Sequence, residues 1–218
     1  KTQCPVTPAV VGTTGVSGTG RAQAFHVRTT APVAAYSLRP YGGGAAASTS
    51  ASLLLPTSGW GREYVAINAY AASTLPAETL QLMRDAGLSI PEEVDLGSPS
   101  LDILALEDDT NVSIRPRVAI QGGLSVSPAA ANEVVRYVLR RGEYLQLTQH
   151  EELTGSSIVA DRPIGVWGAA SCLNVPVDKA ACDTAHQQLS PVSSLGHLYV
   201  GVRHENRWSK QSGLPGQP

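Results

Sequence analysis

The amino-acid sequence predicts an all-β protein made of two tandem, duplicated β-sandwich-like units, with one short helix in the connection between them. Three observations carry that prediction. Apolar segments of roughly 4–8 residues, rich in Val, Ile, Tyr and Thr, recur along the chain between Gly, Pro, Asp and Asn, which is the pattern of sandwich or barrel strands. The composition agrees: 21 Gly and 15 Pro in 218 residues supply turns, and 16% charged residues fall well below the roughly 25% of an average globular protein. Finally, two stretches recur in order at nearly constant spacing.

Taken in order, the strand candidates begin with Phe25-His26-Val27-Arg28, which alternates, and Ala31 to Tyr36. Leu53–Leu55 and Tyr64–Ile67 come next. The second half adds Leu101–Leu106, Asn111–Ile114, Val134–Leu139, Tyr144–Leu147, Ser157–Ala160, Ile164–Trp167 and Leu198–Val202. Glu107-Asp108-Asp109-Thr110-Asn111 reads as a hairpin turn between two of them. One segment has helical character instead. Pro76 to Gly87 places Pro in a first turn, an acid near the start, Leu80, Met83 and Ala86 at helical spacing, and Gly just past the end. These readings divide the chain into a first β unit over 1–72, lacking its opening strands, a linker with the helix over 73–99, a second β unit over 100–205, and a polar tail over 206–218.

The repeat is specific at the residue level. Leu55-Pro-Thr-Ser-Gly-Trp-Gly-Arg-Glu-Tyr-Val65 aligns with Ser190-Pro-Val-Ser-Ser-Leu-Gly-His-Leu-Tyr-Val200 at an offset of 135. Upstream, Thr30 to Tyr36 aligns with Asp161 to Trp167 at an offset of 131, so the second copy carries four more residues in the loop that holds Cys172 and Cys182. Two units related by duplication are the expected cause.

Charge and hydropathy exclude several classes. Sixteen Lys+Arg against 18 Asp+Glu, a net charge of −2, leave no basic excess for a nucleic-acid partner. No apolar run reaches the roughly 20 residues of a membrane-spanning helix. A 42% hydrophobic content argues for a packed core rather than disorder. No basic-then-apolar leader precedes the first unit, so a mature form or an excised piece is expected.

Cys172 and Cys182 bracket a short turn-rich loop. In an oxidising compartment a bridge between them would contribute about 3 kcal/mol by loop closure; the other reading is two buried free thiols. Cys4 is the odd cysteine, either unpaired or paired outside this sequence.

Several segments then carry a family resemblance. Pro32–Tyr36, Leu54–Val65, Ile103–Ile114, Leu153–Ile164, Cys182-Asp183 and Pro191–Gly196 occur in order. The series, over about residues 20 to 205, resembles the N-terminal domain family of IgGFc-binding proteins, known from a mucus-associated animal protein and from secreted bacterial, notably myxobacterial, proteins. The resemblance implies an extracellular or cell-surface β-rich module for binding or adhesion, with no catalytic residues to carry over. It does not imply that antibody is the ligand.

Other chemistry reads weakly from the residues. Gly15-Val-Ser-Gly-Thr-Gly20 lacks the lysine and the strand–loop–helix setting of a phosphate loop. Glu107, Asp108 and Asp109 could meet Ca²⁺, but one turn rarely supplies enough oxygens, so a solvated turn is expected. His186, His197 and His204 lack metal-site spacing and are expected at the surface. Glu92-Glu93 and Glu151-Glu152 are expected to be solvated. Asn111-Val112-Ser113 is a glycosylation sequon by pattern. Among Trp60, Trp167, Trp208, Tyr36, Tyr41 and Tyr70, the matched pair Tyr36 and Trp167 is expected in the core, and Trp60, in a turn, is the candidate binding aromatic.

The function expected from the sequence is therefore a non-catalytic extracellular module that recognises a protein or glycan through surface loops, with no cofactor and no metal. The alternatives are a structural subunit of a filament or matrix, assembled through strand edges, and an extracellular carbohydrate-active enzyme.

Overall fold

A computed structural model describes residues 15–39, 50–68, 73–75, 77–89, 95–173 and 183–202. Within them the chain is all-β apart from one short α-helix, as predicted. The strands are β1 (Gly20–Gln23), β2 (Ala35–Arg39), β3 (Ser50–Leu54), β4 (Gly61–Val65), β5 (Ser73–Thr74), β6 (Asp95–Gly97), β7 (Pro99–Ala105), β8 (Thr110–Arg115), β9 (Val135–Leu139), β10 (Glu143–Thr148), β11 (Ser157–Leu173) and β12 (Asp183–Gln188). The helix α1 (Ala77–Asp85) ends as its sequence dictates. Gly87, at φ +81°, donates to Arg84 O and Leu88 donates to Met83 O, a paired C-terminal cap that favours glycine.

Strand β11, 17 residues long, organises the main eight-stranded sheet. Its first half pairs with β8 on one side and β4 on the other; its second half pairs with β7 and β12. Strands β7 and β8 thus lie end to end along one edge of β11, and the sheet curls where the partners change. That change falls at Asp161-Arg162-Pro163, where the β4 register also shifts. Proline has no N–H for a ladder, so it suits the bend. Arg162 Nη1 reaches Asp108 O (2.6 Å) and Glu107 (3.6 Å), and Asp161 takes Asn111 N–H and Nδ2 at 2.8 and 2.7 Å.

Alternation fills the interior. Leu101, Ile103 and Ala105 of β7, Val112 and Ile114 of β8, Leu145 and Leu147 of β10, and Ile158, Ile164 and Val166 of β11 are almost fully buried in one cluster. At roughly 25 cal/mol per Å² of apolar surface, this cluster is the main source of stability. Tyr64 of β4 closes it: its hydroxyl donates to Ile164 O (2.7 Å) and accepts from Gly61 N–H (3.0 Å).

The two aligned stretches adopt matching geometry. In the β2–β3 hairpin Tyr36 faces Leu53, Ser37 faces Ser52, Leu38 faces Ala51 and Arg39 faces Ser50. In the β11–β12 hairpin the residues at the aligned positions pair identically: Trp167 with Gln188, Gly168 with Gln187, Ala169 with His186 and Ala170 with Ala185. Each hairpin leads into a Pro-initiated 3₁₀ turn, Thr57–Gly59 after Pro56 and Val192–Ser194 after Pro191. After each turn a glycine N–H bonds a tyrosine hydroxyl three residues on, Gly61 to Tyr64 and Gly196 to Tyr199.

Several expectations are corrected. Glu107 to Asn111 is a corner rather than a hairpin turn, because β7 and β8 both pair with β11. Ser157–Ala160 and Ile164–Trp167 belong to one strand, not two. Phe25–Arg28 and Leu198–Val202 pair with no strand among the described residues, and their apolar side chains are exposed. Tyr36 is 60% exposed rather than in the core. Polar β12, and the short β1 that ends a glycine-rich stretch, carry no strand signal.

Candidate functional site

The sheet face opposite the core carries the most concentrated chemistry. On β7, alternation turns Leu101 and Ile103 inward and Asp102 outward. Trp167 on β11 stands opposite Asp102 in the register. On β12, His186 stands opposite Ala169, two residues beyond Trp167. Its Nε2 lies 3.6 Å from Asp102 Oδ2, with both side chains largely covered. The imidazole stacks on Trp167, centroids 6.2 Å apart and planes within 10°. Trp60, delivered by the turn before β4, meets Trp167 edge to face at 5.8 Å and 86°.

Glycine makes room for this cluster. A Cβ on Gly165 would sit 2.8 Å from ring atoms of both Trp167 and Trp60, so the indoles lie directly on the backbone of β11. Trp60 is half-buried, and its Nε1 donates to Leu55 O at 3.2 Å. By contrast, Asp102 Oδ1, Trp167 Nε1 and His186 Nδ1 are buried and have no hydrogen-bond partner among the described residues. One acceptor, one donor and an imidazole nitrogen are thus left unpaired around an aromatic pair. Unpaired buried polar groups cost about 1–3 kcal/mol each, so a ligand or water that satisfied them would be held there.

His186 is accordingly not the surface histidine that its spacing predicts; His197 is exposed. Trp167 is buried as predicted but belongs to the outer cluster rather than to the main core. The turn acids are engaged singly: Glu107 pairs with Arg162, and Asp108 Oδ1 accepts from Arg141 N–H at 3.0 Å. No group of three or more His, Cys, Asp or Glu converges in metal-binding geometry among the described residues. Asn111 of the sequon is held by Asp161, whose carboxyl lies below its ordinary value chiefly because the Asn111 side chain donates to it. Cys172 is buried and disulfide-bonded. Cys4 and Cys182, with Tyr41, Tyr70, Glu92-Glu93, His204, Trp208 and the 206–218 tail, lie outside the described residues.

The family model described as IgGFc binding protein matches residues 50–214, from the first residue of β3 onward. The chain belongs to the IgGFc-binding family. The matched span contains Trp60, Asp102, Trp167, His186 and both 3₁₀ turns. No curated protein and no solved structure matches the chain. No helix among the described residues is long and apolar enough to cross a membrane.

Proposed function

We propose that this IgGFc-binding family member is a non-catalytic binding module of the extracellular space or cell surface, engaging a protein partner at the Trp60 rim of the outer-face cluster. The observation that carries this reading is the set of buried, unpaired polar groups on Asp102, Trp167 and His186 beside a half-exposed tryptophan. A buried acceptor and donor beside an aromatic wall suit a polar side chain or main-chain amide inserted by a partner, and aromatic residues commonly anchor protein interfaces. The disulfide at Cys172 supports an oxidising compartment. We assign its partner as Cys182 across the β11–β12 connection, which leaves Cys4 unpaired or externally paired.

The family description makes the Fc fragment of IgG the first protein to try. Surface plasmon resonance of the full chain on immobilised Fc should give saturable binding that Trp60→Ala and Asp102→Asn each weaken about tenfold or more, roughly 1.4 kcal/mol. Binding indifferent to both substitutions would place the site elsewhere. A glycan array probed with the same variants addresses the rival ligand class.

A further inference from the structure

We infer that Gly196–Val200 is a donor strand that completes the first unit of a second copy of this chain, by pairing with its residues 26–33. The inference does not depend on the outer-face cluster; it rests on the features that the two aligned units share and on those that each lacks.

Within one chain the first unit ends in hairpin β2–β3, a 3₁₀ turn, and then β4. Strand β4 does not pair back on its own hairpin. It adds to the first half of β11 in the second unit: Val65 faces Ser157, Tyr64 faces Ile158, Glu63 faces Val159 and Gly61 faces Ile164. The second unit repeats the hairpin register, the 3₁₀ turn and the glycine–tyrosine bond. The segment after its turn is the counterpart of β4, with Gly196, Tyr199 and Val200 in place of Gly61, Tyr64 and Val65. Here that segment has no sheet partner among the described residues. Leu198, Tyr199, Val200 and Val202 are 87%, 73%, 89% and 92% exposed, whereas Tyr64 is 2% exposed.

The complementary gap lies at the other end. The counterpart of the β11 segment that receives β4 is His26 to Val33, at the offset that equates Pro32 with Pro163. Val27 stands where Ile158 is fully buried, yet it is 76% exposed, and Val33 stands for buried Ile164 at 65% exposed. Among its described residues, one chain therefore carries a donor without an acceptor and an acceptor without a donor. The β4–β11 ladder fixes how they would meet: Val200 against His26, Tyr199 against Val27, Leu198 against Arg28 and Gly196 against Val33. The Tyr199 hydroxyl, already bonded to Gly196 N–H, would donate to Val33 O as Tyr64 does to Ile164 O. Strand addition of this kind satisfies main-chain groups and buries alternate side chains together. Because donor and acceptor are different surfaces, the contact is head to tail and yields rings or open filaments.

The test uses the full chain and two substitutions in exposed segments, Tyr199→Pro to disable the donor and Val27→Pro to disable the acceptor. Sedimentation equilibrium of the wild-type chain should show mass rising with concentration. Each variant alone should stay monomeric with an unchanged melting temperature. An equimolar mixture of the two should reach twice the monomer mass and rise no further, since it retains a single intact donor–acceptor pair. Leu124→Asp, at a 75% exposed residue outside both segments, should assemble like wild type. A wild-type chain that stays monomeric, variants that still assemble alone, a mixture that stays monomeric, or loss of assembly in Leu124→Asp would each overturn the inference.

Discussion

Tyr64→Phe isolates the contribution of the tyrosine hydroxyl to the seam between β4 and β11. The ring is 2% exposed and remains in place in the variant, so core packing is preserved. The substitution removes one hydroxyl that joins two groups, Gly61 N–H at 3.0 Å and Ile164 O at 2.7 Å. A stranded buried partner costs about 1–3 kcal/mol. The carbonyl has a second lone pair and the amide is only half-buried, so both belong at the lower end. The sum is about 2 kcal/mol. For a chain of this size that lowers the melting temperature by roughly 4–8 °C. Tyr199→Phe removes the same local bond, Tyr199 hydroxyl to Gly196 N–H, where solvent replaces it, and should cost under about 0.5 kcal/mol in the monomer. Urea unfolding followed by circular dichroism measures both. Equal losses in the two variants would refute the reasoning, since the local bond rather than its burial would then set the energy.

The same residue gives a pH signature. Burial raises the Tyr64 pKa above 10.0, partly opposed by the bond from Gly61 N–H. Tyr137, whose hydroxyl donates to Ser127 O at 2.8 Å, is raised by burial and partly lowered by Arg21. A raised folded value means that the unfolded chain ionises first. Stability is therefore intact below about pH 10 and falls as pH climbs through the folded values. Tyr64→Phe should shallow that alkaline loss, and Tyr64→Phe with Tyr137→Phe should shallow it further; an unchanged slope in the double variant would assign it to other groups.

Gly165→Ala would drive a methyl into Trp60 and Trp167; it should cost about 1–3 kcal/mol and reduce the near-ultraviolet dichroism of the indole pair. Asn111→Ala should raise the Asp161 carboxyl toward its ordinary value, read by NMR titration. In the wild type this depressed value supports folding above the unfolded pKa, and the support fades as pH falls through the folded one; the variant should show a smaller acid-side loss. Cys172→Ser should lower stability by about 3 kcal/mol for a closed loop of that length, and non-reducing peptide mapping should recover Cys172 joined to Cys182 rather than to Cys4.

The reach of the sequence depends on the property that each of its signals measures. Alternation reports which face a side chain prefers, so Leu101-Asp102-Ile103 locates a strand and its outward acid together. Alternation does not report whether a partner strand exists. Phe25-His26-Val27-Arg28 alternates as a strand would, yet it stands exposed, while its counterpart around Ile158 is sandwiched between β4 and β8. Turn residues mislead in the opposite direction at Asp161-Arg162-Pro163. There the polar side chains brace a corner and the proline occupies a change of partners inside one continuous strand. His186 is illegible in the sequence because β12 is polar apart from Ala185. Hydrogen bonding anchors that strand at its buried end, with Gln188 Oε1 accepting from Leu55 N–H at 2.6 Å and Gln188 N–H donating to Ser52 Oγ at 3.4 Å. Hydropathy is blind to a strand held that way, and so it misses the histidine that completes the aromatic cluster. Aligning the chain with itself reaches further, because it measures neither facing nor turn chemistry. Pro, Gly and Tyr at fixed spacing accompany a 3₁₀ turn and a hydroxyl bond in both aligned stretches, whether the segment after them finds a sheet, as at Tyr64, or pairs with no strand among the described residues, as at Tyr199.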